Sequence, residues 1–268
     1  MPRIRVREID VYYEIHGSGP RLLYIGGSGG DLRQKPGVFD GPLVDQFEVL
    51  SYDQRGLGQT STPPGPYTMG DYAMDAEALL DAVGWSDCLV MGVSFGGMVA
   101  QEFVCRFPDR ARRLVLACTS SGGKGGASYP LHELQELSEE DRFLRMIGIS
   151  DLRNDEQWRD AHPDALATMI RYSERRAAVG ADESDRELGQ RLQFEARKEH
   201  DTYDRLSDFD LPVYICAGRF DGIAPPDNQR ELERNIPGAR LEFFEGGHLF
   251  LIQDKTAFQE IATFLLGT

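Results

Sequence analysis

Gly92-Val93-Ser94-Phe95-Gly96 sets a hydroxyl between two glycines, after the apolar run Cys88–Met91 and before a helical stretch, Met98–Phe107. A serine at the tip of a strand, in a sharp strand-to-helix turn, presents its oxygen beside the next amide N–H and the positive end of the helix. Glycines two residues to either side leave room for the strained backbone such a turn demands. Serine is a weak nucleophile at neutral pH, so the chemistry also needs a base within hydrogen-bond reach and a third group to orient that base. Of the five histidines, His248 follows the apolar run Leu241–Phe244 across Glu245-Gly246-Gly247, in a loop at a strand end. His16 lies in an N-terminal hairpin, and His132, His162 and His200 fall in a charge-rich helical region where a solvent-exposed or structural role is the default. Ala217-Gly218-Arg219-Phe220-Asp221-Gly222 places Asp221 just beyond another strand. Asp227 reads as the start of a helix, and Glu245 is too near His248 in sequence to face its ring easily. The expected set is Ser94 as nucleophile, His248 as base and Asp221 as orienting acid, in the chain order Ser, Asp, His.

A nucleophile attacking a carbonyl generates an oxyanion that needs two donors. The amide of Phe95 supplies one. The loop after Leu22–Ile25 reads Gly26-Gly27-Ser28-Gly29-Gly30-Asp31, and its glycines let backbone amides approach a substrate oxygen. A phosphate cradle is the competing reading, but neither G-x-x-x-x-G-K-[ST] nor a G-x-G-x-x-G fingerprint with its distant acid is present. Asp31 beside this loop reads as a turn-former.

These residues sit at the ends of short apolar runs. Leu22–Ile25, Val49–Tyr52, Leu89–Met91, Leu114–Ala117, Val213–Ala217 and Leu241–Phe244 are nearly continuous in hydrophobicity, as strands covered on both faces are. Ile4–Ile9 and Val11–Ile15 alternate, predicting an antiparallel hairpin that closes at Asp10. Helical spacing falls between the strands: Tyr72, Ala76, Leu79, Leu80 and Val83 form one stripe, capped by Thr68-x-x-Asp71, and Phe258, Ile261, Ala262 and Leu265 form another. Strand–helix alternation predicts an α/β fold with a doubly wound, mostly parallel sheet, whose ligand site lies outside the carboxyl ends of the strands. After Thr119 the rhythm breaks. Gly122-Gly123-Lys124-Gly125-Gly126 opens about eighty residues without a strand, in which Leu166, Met169, Ile170 and Ala177, then Leu188, Leu192 and Ala196, recur at helical spacing. A helical insertion that roofs the site is expected.

The 268 residues are 41% hydrophobic and 10% aromatic, enough for a sizeable core, so disorder is not expected. With 29 basic and 44 acidic residues the net charge is −15, which repels phosphate backbones and anionic membranes. Nucleic acid and membrane are therefore not expected partners. Cys88, Cys105, Cys118 and Cys216 show no C-x-x-C spacing and read as free thiols of a reducing compartment. No run reaches the length of a membrane span, and Met1-Pro2-Arg3-Ile4-Arg5 lacks the apolar stretch of a secretory signal, so a cytoplasmic protein is expected.

Taken together the motifs resemble the α/β-hydrolase fold superfamily, essentially end to end. Besides the elbow, Asp53-Gln54-Arg55-Gly56-Leu57-Gly58-Gln59-Thr60-Ser61 is similar to that family's D-x-R-G-x-G-x-S loop, and Asp221 is followed by Ile223-Ala224-Pro225 and later by Gly247-His248. The resemblance implies an eight-stranded sheet with a helical cap inserted after the sixth strand: a core of residues 1–121 and 208–268, and a cap of 122–207. It implies Ser94, His248 and Asp221 in the roles above, and Ser28 with Phe95 as the oxyanion pair. Gly26-Gly27 stands where the family usually has His-Gly, so Gly27 is the alternative to Ser28. The Asp53–Ser61 loop resembles a structural element. Haloalkane dehalogenases of this fold carry aspartate at the nucleophile position, unlike Ser94. Carbon–carbon hydrolases of ring-cleavage products share the Ser94–Gly97 run, but usually have asparagine before the serine and tryptophan after the histidine, where this chain has Val93 and Leu249.

The resemblance thus implies a cofactor-free and metal-free serine esterase or lactonase similar to 3-oxoadipate enol-lactonases, acting on a small carboxylic ester or lactone. Carbon–carbon hydrolysis and a binding protein with a vestigial triad are the alternatives. Trp158, Met169, Tyr172, Phe194 and Tyr203 could line its pocket, with Gly27 and Leu249 near the chemistry, although apolar residues at helical spacing are more often core. Arg145, Arg171, Arg175 and Arg176 could hold a substrate carboxylate, although solvated arginines are the commoner case in such a helix. The oligomeric state, a homo-oligomer included, is left open by the sequence.

Overall fold

In the computed structural model, which describes residues 3–268, eight strands form one sheet in the order β1-β2-β4-β3-β5-β6-β7-β8. They are β1 (Arg3–Val6), β2 (Ile9–His16), β3 (Arg21–Ile25), β4 (Glu48–Tyr52), β5 (Cys88–Val93), β6 (Ala111–Ala117), β7 (Val213–Gly218) and β8 (Arg240–Phe244). Only β1–β2 and β2–β4 pair antiparallel; the remaining neighbours are parallel. The six apolar runs are the six parallel strands, and β7 is buried along its whole length, as a central parallel strand must be.

The N-terminal hairpin turns earlier than its alternation predicts. Val6 pairs with Ile9, so the turn is Arg7-Glu8 and Asp10 lies inside β2. A turn at Asp10 would unseat Ile9, which is fully buried. Arg7 takes a positive φ of 50° there, and its guanidinium is fixed by Asp71 and Asp75.

Helices cover both faces. On one lie α1 (Met69–Ala82), α2 (Phe95–Arg106) and, later in the chain, a helix at Pro226–Asn235; their apolar stripes share a core with β3, β5, β6 and β7. On the other face Phe250, Ala257, Ile261, Ala262 and Leu265, from the last two helices, pack over Met91, Val115 and Tyr214. Thr68 caps α1 as its sequence predicts: its Oγ1 accepts from the Asp71 amide at 3.1 Å and Asp71 Oδ2 accepts from the Thr68 amide at 3.0 Å.

Between β6 and β7 run the four helices α3 (Glu139–Ser150), α4 (Glu156–Ala161), α5 (Pro163–Ala178) and α6 (Arg186–Lys198). The helices after β7 are α7 (Pro226–Asn235), α8 (Phe250–Gln253) and α9 (Ala257–Leu266). The insertion meets the carboxyl ends of the strands in several places. The Gly29 amide, after β3, donates to Gln193 of α6; the Gly222 amide, after β7, donates to the Ile149 carbonyl of α3; and the His248 amide, after β8, donates to the Ser150 carbonyl. Gly189 lets α6 seat directly on Gly56, where a β-carbon would collide with the Gly56 carbonyl. No helix among the described residues is long and apolar enough to cross a membrane. All four cysteines are free thiols, three of them buried.

Candidate active site

Ser94 stands between β5 and α2 with φ 55° and ψ −117°, a backbone region disfavoured for any residue with a side chain. Such strain persists only where neighbours impose it. The Ser94 amide donates to the Ala117 carbonyl at 2.8 Å, and the Ser94 carbonyl accepts from Thr119 Oγ1 at 2.8 Å and the Gly97 amide at 2.9 Å. The two flanking glycines are required by contact: a β-carbon on Gly92 would strike Gly96, and one on Gly96 would strike the carbonyls of Ile25 and Gly26. Phe95 is fully buried, edge-on to Tyr72 with ring centroids 5.0 Å apart. Burying that ring contributes about 2–3 kcal/mol and pins the first turn of α2, and with it the Phe95 amide beside Ser94.

The three side chains converge. His248 Nε2 lies 2.9 Å from Ser94 Oγ and His248 Nδ1 lies 2.8 Å from Asp221 Oδ2. A carboxylate can only accept, so Nδ1 carries the proton and the Nε2 lone pair faces the serine hydroxyl, which donates to it. Asp221 is fully buried, and its Oδ1 accepts from the amides of Ile223 at 2.8 Å and Ala224 at 2.9 Å. Those two amides fix the carboxylate plane and leave Oδ2 to the imidazole. The motif residues after Asp221 therefore act through their backbone. Asp221→Asn keeps the size but presents an amide N–H to the ring, favouring the wrong tautomer. Its kcat is expected to fall about 10⁴-fold with little change in KM, checked by steady-state kinetics on any ester the wild type hydrolyses.

The Phe95 amide has no backbone acceptor among the described residues. Opposite it, the loop after β3 passes close to Ser94, an added β-carbon on Gly27 falling 3.6 Å from Ser94 Cβ. Ser28 follows, its hydroxyl buried without a partner. The loop is held from two sides. Gln54 Nε2 donates to the Gly26 carbonyl at 2.9 Å, and Gln193 Oε1 accepts the Gly29 amide at 2.9 Å. Asp31 forms its turn by accepting the Arg33 amide, and Arg33 in turn pairs with both Asp31 and Glu183.

Asp53 ties this loop to the following one, accepting the amides of Leu32 at 2.7 Å and Gln59 at 2.8 Å. Burial outweighs these donors and pushes its carboxyl up to about 7. A folded-state value above the unfolded one means the native state holds the proton more tightly. This contribution to stability is complete below about pH 4 and is lost as the pH rises through about 7. Chemical denaturation of wild type and Asp53→Asn between those limits checks it; the variant is expected to lose that part of the decline.

Trp158 and Tyr172 lie on α4 and α5, where their ring contacts are with His162 and Arg176 of the insertion. Leu249 follows His248 and is 49% exposed. Of the arginines considered for a substrate carboxylate, Arg145 and Arg176 lean on Tyr129 and Tyr172, and Arg171 and Arg175 are exposed. A cleft of about 370 Å³ runs between the Gly56–Thr62 loop and residues 179–190, reaching Gly29, Asp31 and Gln34.

Other neighbours carry no sequence signal. Cys118 Sγ, an Asp221 oxygen and a His248 nitrogen lie within 4.8 Å of one another. Burial, then the Asp221 charge, holds the thiol well above its usual range, so it adds no second negative charge beside the acid. Below the histidine loop, Asp151 at the end of α3 accepts from Gln253 Nε2 at 2.9 Å, and Gln253 Oε1 accepts the Gly247 amide at 2.9 Å. Helix α3 thereby braces the loop that carries His248.

Residues 20–255 match the family model described as the alpha/beta hydrolase fold. The chain belongs to that family. A poly(3-hydroxyalkanoate) depolymerase from Ectopseudomonas oleovorans is 29% identical over 239 residues, covering 86% of this chain and 78% of that protein. A protein from Azorhizobium caulinodans that carries the name carbamate hydrolase RutD is 28% identical over 269 residues, covering 100% and 97%. Among solved structures, the enol-lactonase from Burkholderia xenovorans LB400 superposes with a TM-score of 0.80 at 23% identity, each chain covered completely. That likeness is one of fold.

Proposed function

We propose that this chain is a serine hydrolase of small carboxylic esters or lactones, working through an acyl-enzyme on Ser94. The observation that carries the reading is the unbroken line from Asp221 through His248 to Ser94, at 2.8 and 2.9 Å. Ser94 Oγ attacks the substrate carbonyl as His248 Nε2 takes its proton. Asp221 stabilises the imidazolium that forms and keeps its orientation. The oxyanion rests on the amides of Phe95 and Ser28, each donor contributing about 3–4 kcal/mol to the transition state. His248 then protonates the leaving alkoxide, and a water activated by the same ring releases the acid. Residues 122–207 serve as the cap over this chemistry, and 1–121 with 208–268 as the core. Metal and organic cofactors have no role in this scheme.

The related depolymerase, by its name, acts on a poly(3-hydroxyalkanoate), an ester polymer, which supports ester substrates for this chain. Val93 and Leu249, in place of asparagine and tryptophan, weigh against carbon–carbon hydrolysis. The test pairs stoichiometric fluorophosphonate labelling with turnover of a panel of esters, lactones, carbamates and vinylogous diketones. Labelling at Ser94 with multiple turnovers on esters or lactones is expected. Exclusive turnover of carbamates or diketones would replace the proposed substrate class, and labelling without turnover would make the chain a binding protein.

A further inference from the structure

Arg197, near the end of α6, is 8% exposed, and nothing in the triad scheme uses it. Buried guanidinium groups are ordinarily paired with carboxylates, because an uncompensated charge away from water is costly. Here no carboxylate lies within 4.0 Å of it among the described residues. Among the described residues its guanidinium makes one hydrogen bond, to the hydroxyl of Ser128 at 2.6 Å. Burial alone pushes its pKa down to about 10, with no acid to raise it. A side chain that weakens the fold without a structural partner is most simply retained for something it binds.

What it faces is a cavity of about 190 Å³, lined also by Met98, Gly122, Ser128, His132 and Lys198. Among the described residues its lining includes two cations, Arg197 and Lys198, and no carboxylate. Burial, then the Lys198 charge, holds His132 below its usual range; Glu133 opposes this and Arg197 adds a smaller push the same way as Lys198. A hollow lined by two cations and no carboxylate stands out in a chain of net charge −15. Met98, one of its lining residues, lies on α2 one helical turn from Ser94, whose carbonyl accepts from the Met98 amide.

We propose that this cavity is a subsite for a small organic carboxylate, with the Arg197 fork as its counter-ion and the Ser128 hydroxyl beside it. The planar fork matches a carboxylate in two parallel bonds, and the volume suits a chain of a few carbons. The carboxylate is either the far end of an anionic ester that Ser94 cleaves, which rests on the proposed hydrolase reading, or a separate acid bound near it, which does not.

The probe is glutarate, with Tm as a readout independent of catalysis. Glutarate is expected to raise Tm by several degrees in wild type and equally in Ser94→Ala, and to leave Arg197→Met unmoved. Arg197→Met without ligand is expected to melt no earlier than wild type, because it removes an unpaired buried charge. The second arm compares p-nitrophenyl hydrogen glutarate with p-nitrophenyl butyrate. If the subsite holds the substrate's own carboxylate, the ratio of their kcat/KM values falls about thirtyfold in Arg197→Met. An unchanged ratio with a lost Tm response assigns the subsite to a separate carboxylate. Equal glutarate responses in wild type and Arg197→Met, no response in either, or early melting of Arg197→Met would each overturn the proposal. Because Ser94→Ala is read by Tm alone, a failure of the hydrolase reading shows up separately.

Discussion

Replacing Ser94 with alanine is expected to reduce kcat on a p-nitrophenyl short-chain ester about 10⁶-fold, to the residual level that oxyanion binding alone supports. The size follows from how the three side chains depend on one another. His248 Nε2 has a lone pair aimed at one oxygen, 2.9 Å away, and Asp221 acts only through the ring. Once that oxygen is gone the base has nothing to activate at the right place, and the acid has no imidazolium to stabilise. Losses at the three positions should therefore not add: Ser94→Ala combined with Asp221→Asn is expected to be no worse than Ser94→Ala alone. Stability should respond differently. The Ser94 hydroxyl supports no backbone group, and the bonds that hold its strained turn run through its amide and carbonyl, which alanine keeps. A Tm within a few degrees of wild type and loss of fluorophosphonate labelling are the matching observations. Turnover persisting at the wild-type rate in Ser94→Ala would remove this serine from the mechanism.

The convergence of Ser94, Asp221 and His248 was legible because each is announced by local chemistry: glycines around Ser94, a strand ending before Asp221, a glycine pair before His248. These features are set by backbone geometry over a few residues, which is the range over which sequence speaks most directly. The parallel strands were legible for a related reason, since burial on both faces forces continuous apolar runs such as Val213–Gly218. The hairpin turn was misplaced because alternation across Val6 to Val11 fits two registers, and only the burial of Ile9 together with the ion pairs of Arg7 selects one. Arg197, Gln193 and Asp151 were not legible at all. Each gains its meaning from residues 69 to 164 positions away: Arg197 from Ser128, Asp151 from Gln253, Gln193 from Gly29. Side-chain pairing at that separation leaves no periodicity to read. In the insertion, where surface helices are dense in arginine, composition could not single out the one arginine that is buried.

The largest stability effect is expected outside the active site, at Arg55. Its Nε and Nη2 meet Asp75 at 2.7 and 2.9 Å, with both residues almost fully buried, and Nη2 also reaches Glu8 at 2.7 Å. Arg7 adds a further bond to Asp75 at 2.7 Å from the hairpin turn. One arginine thus joins the loop after β4, helix α1 and the N-terminal hairpin. Burial raises the Asp75 carboxyl above its usual range even with two guanidinium groups beside it. The charge tolerates burial only because it is paired. Arg55→Met keeps most of the apolar stem and leaves Asp75 only the Arg7 guanidinium, so urea denaturation should show a loss of about 3 kcal/mol. Against a typical domain stability of about 5–15 kcal/mol, that is a large share. The diagnostic step is the double variant. If the loss reflects a buried carboxylate left with one of its two partners rather than missing packing, Arg55→Met with Asp75→Leu should recover much of the deficit, giving a coupling energy of about 2–3 kcal/mol. Additive losses would instead make Arg55 a packing residue. The same result bears on why the loop after β3 holds its shape: Gln54, the preceding residue, donates to the Gly26 carbonyl at its edge. Variants that loosen Arg55 should therefore lower kcat before they unfold the protein, as the loop proposed to supply the second oxyanion donor drifts from the position where the charge develops.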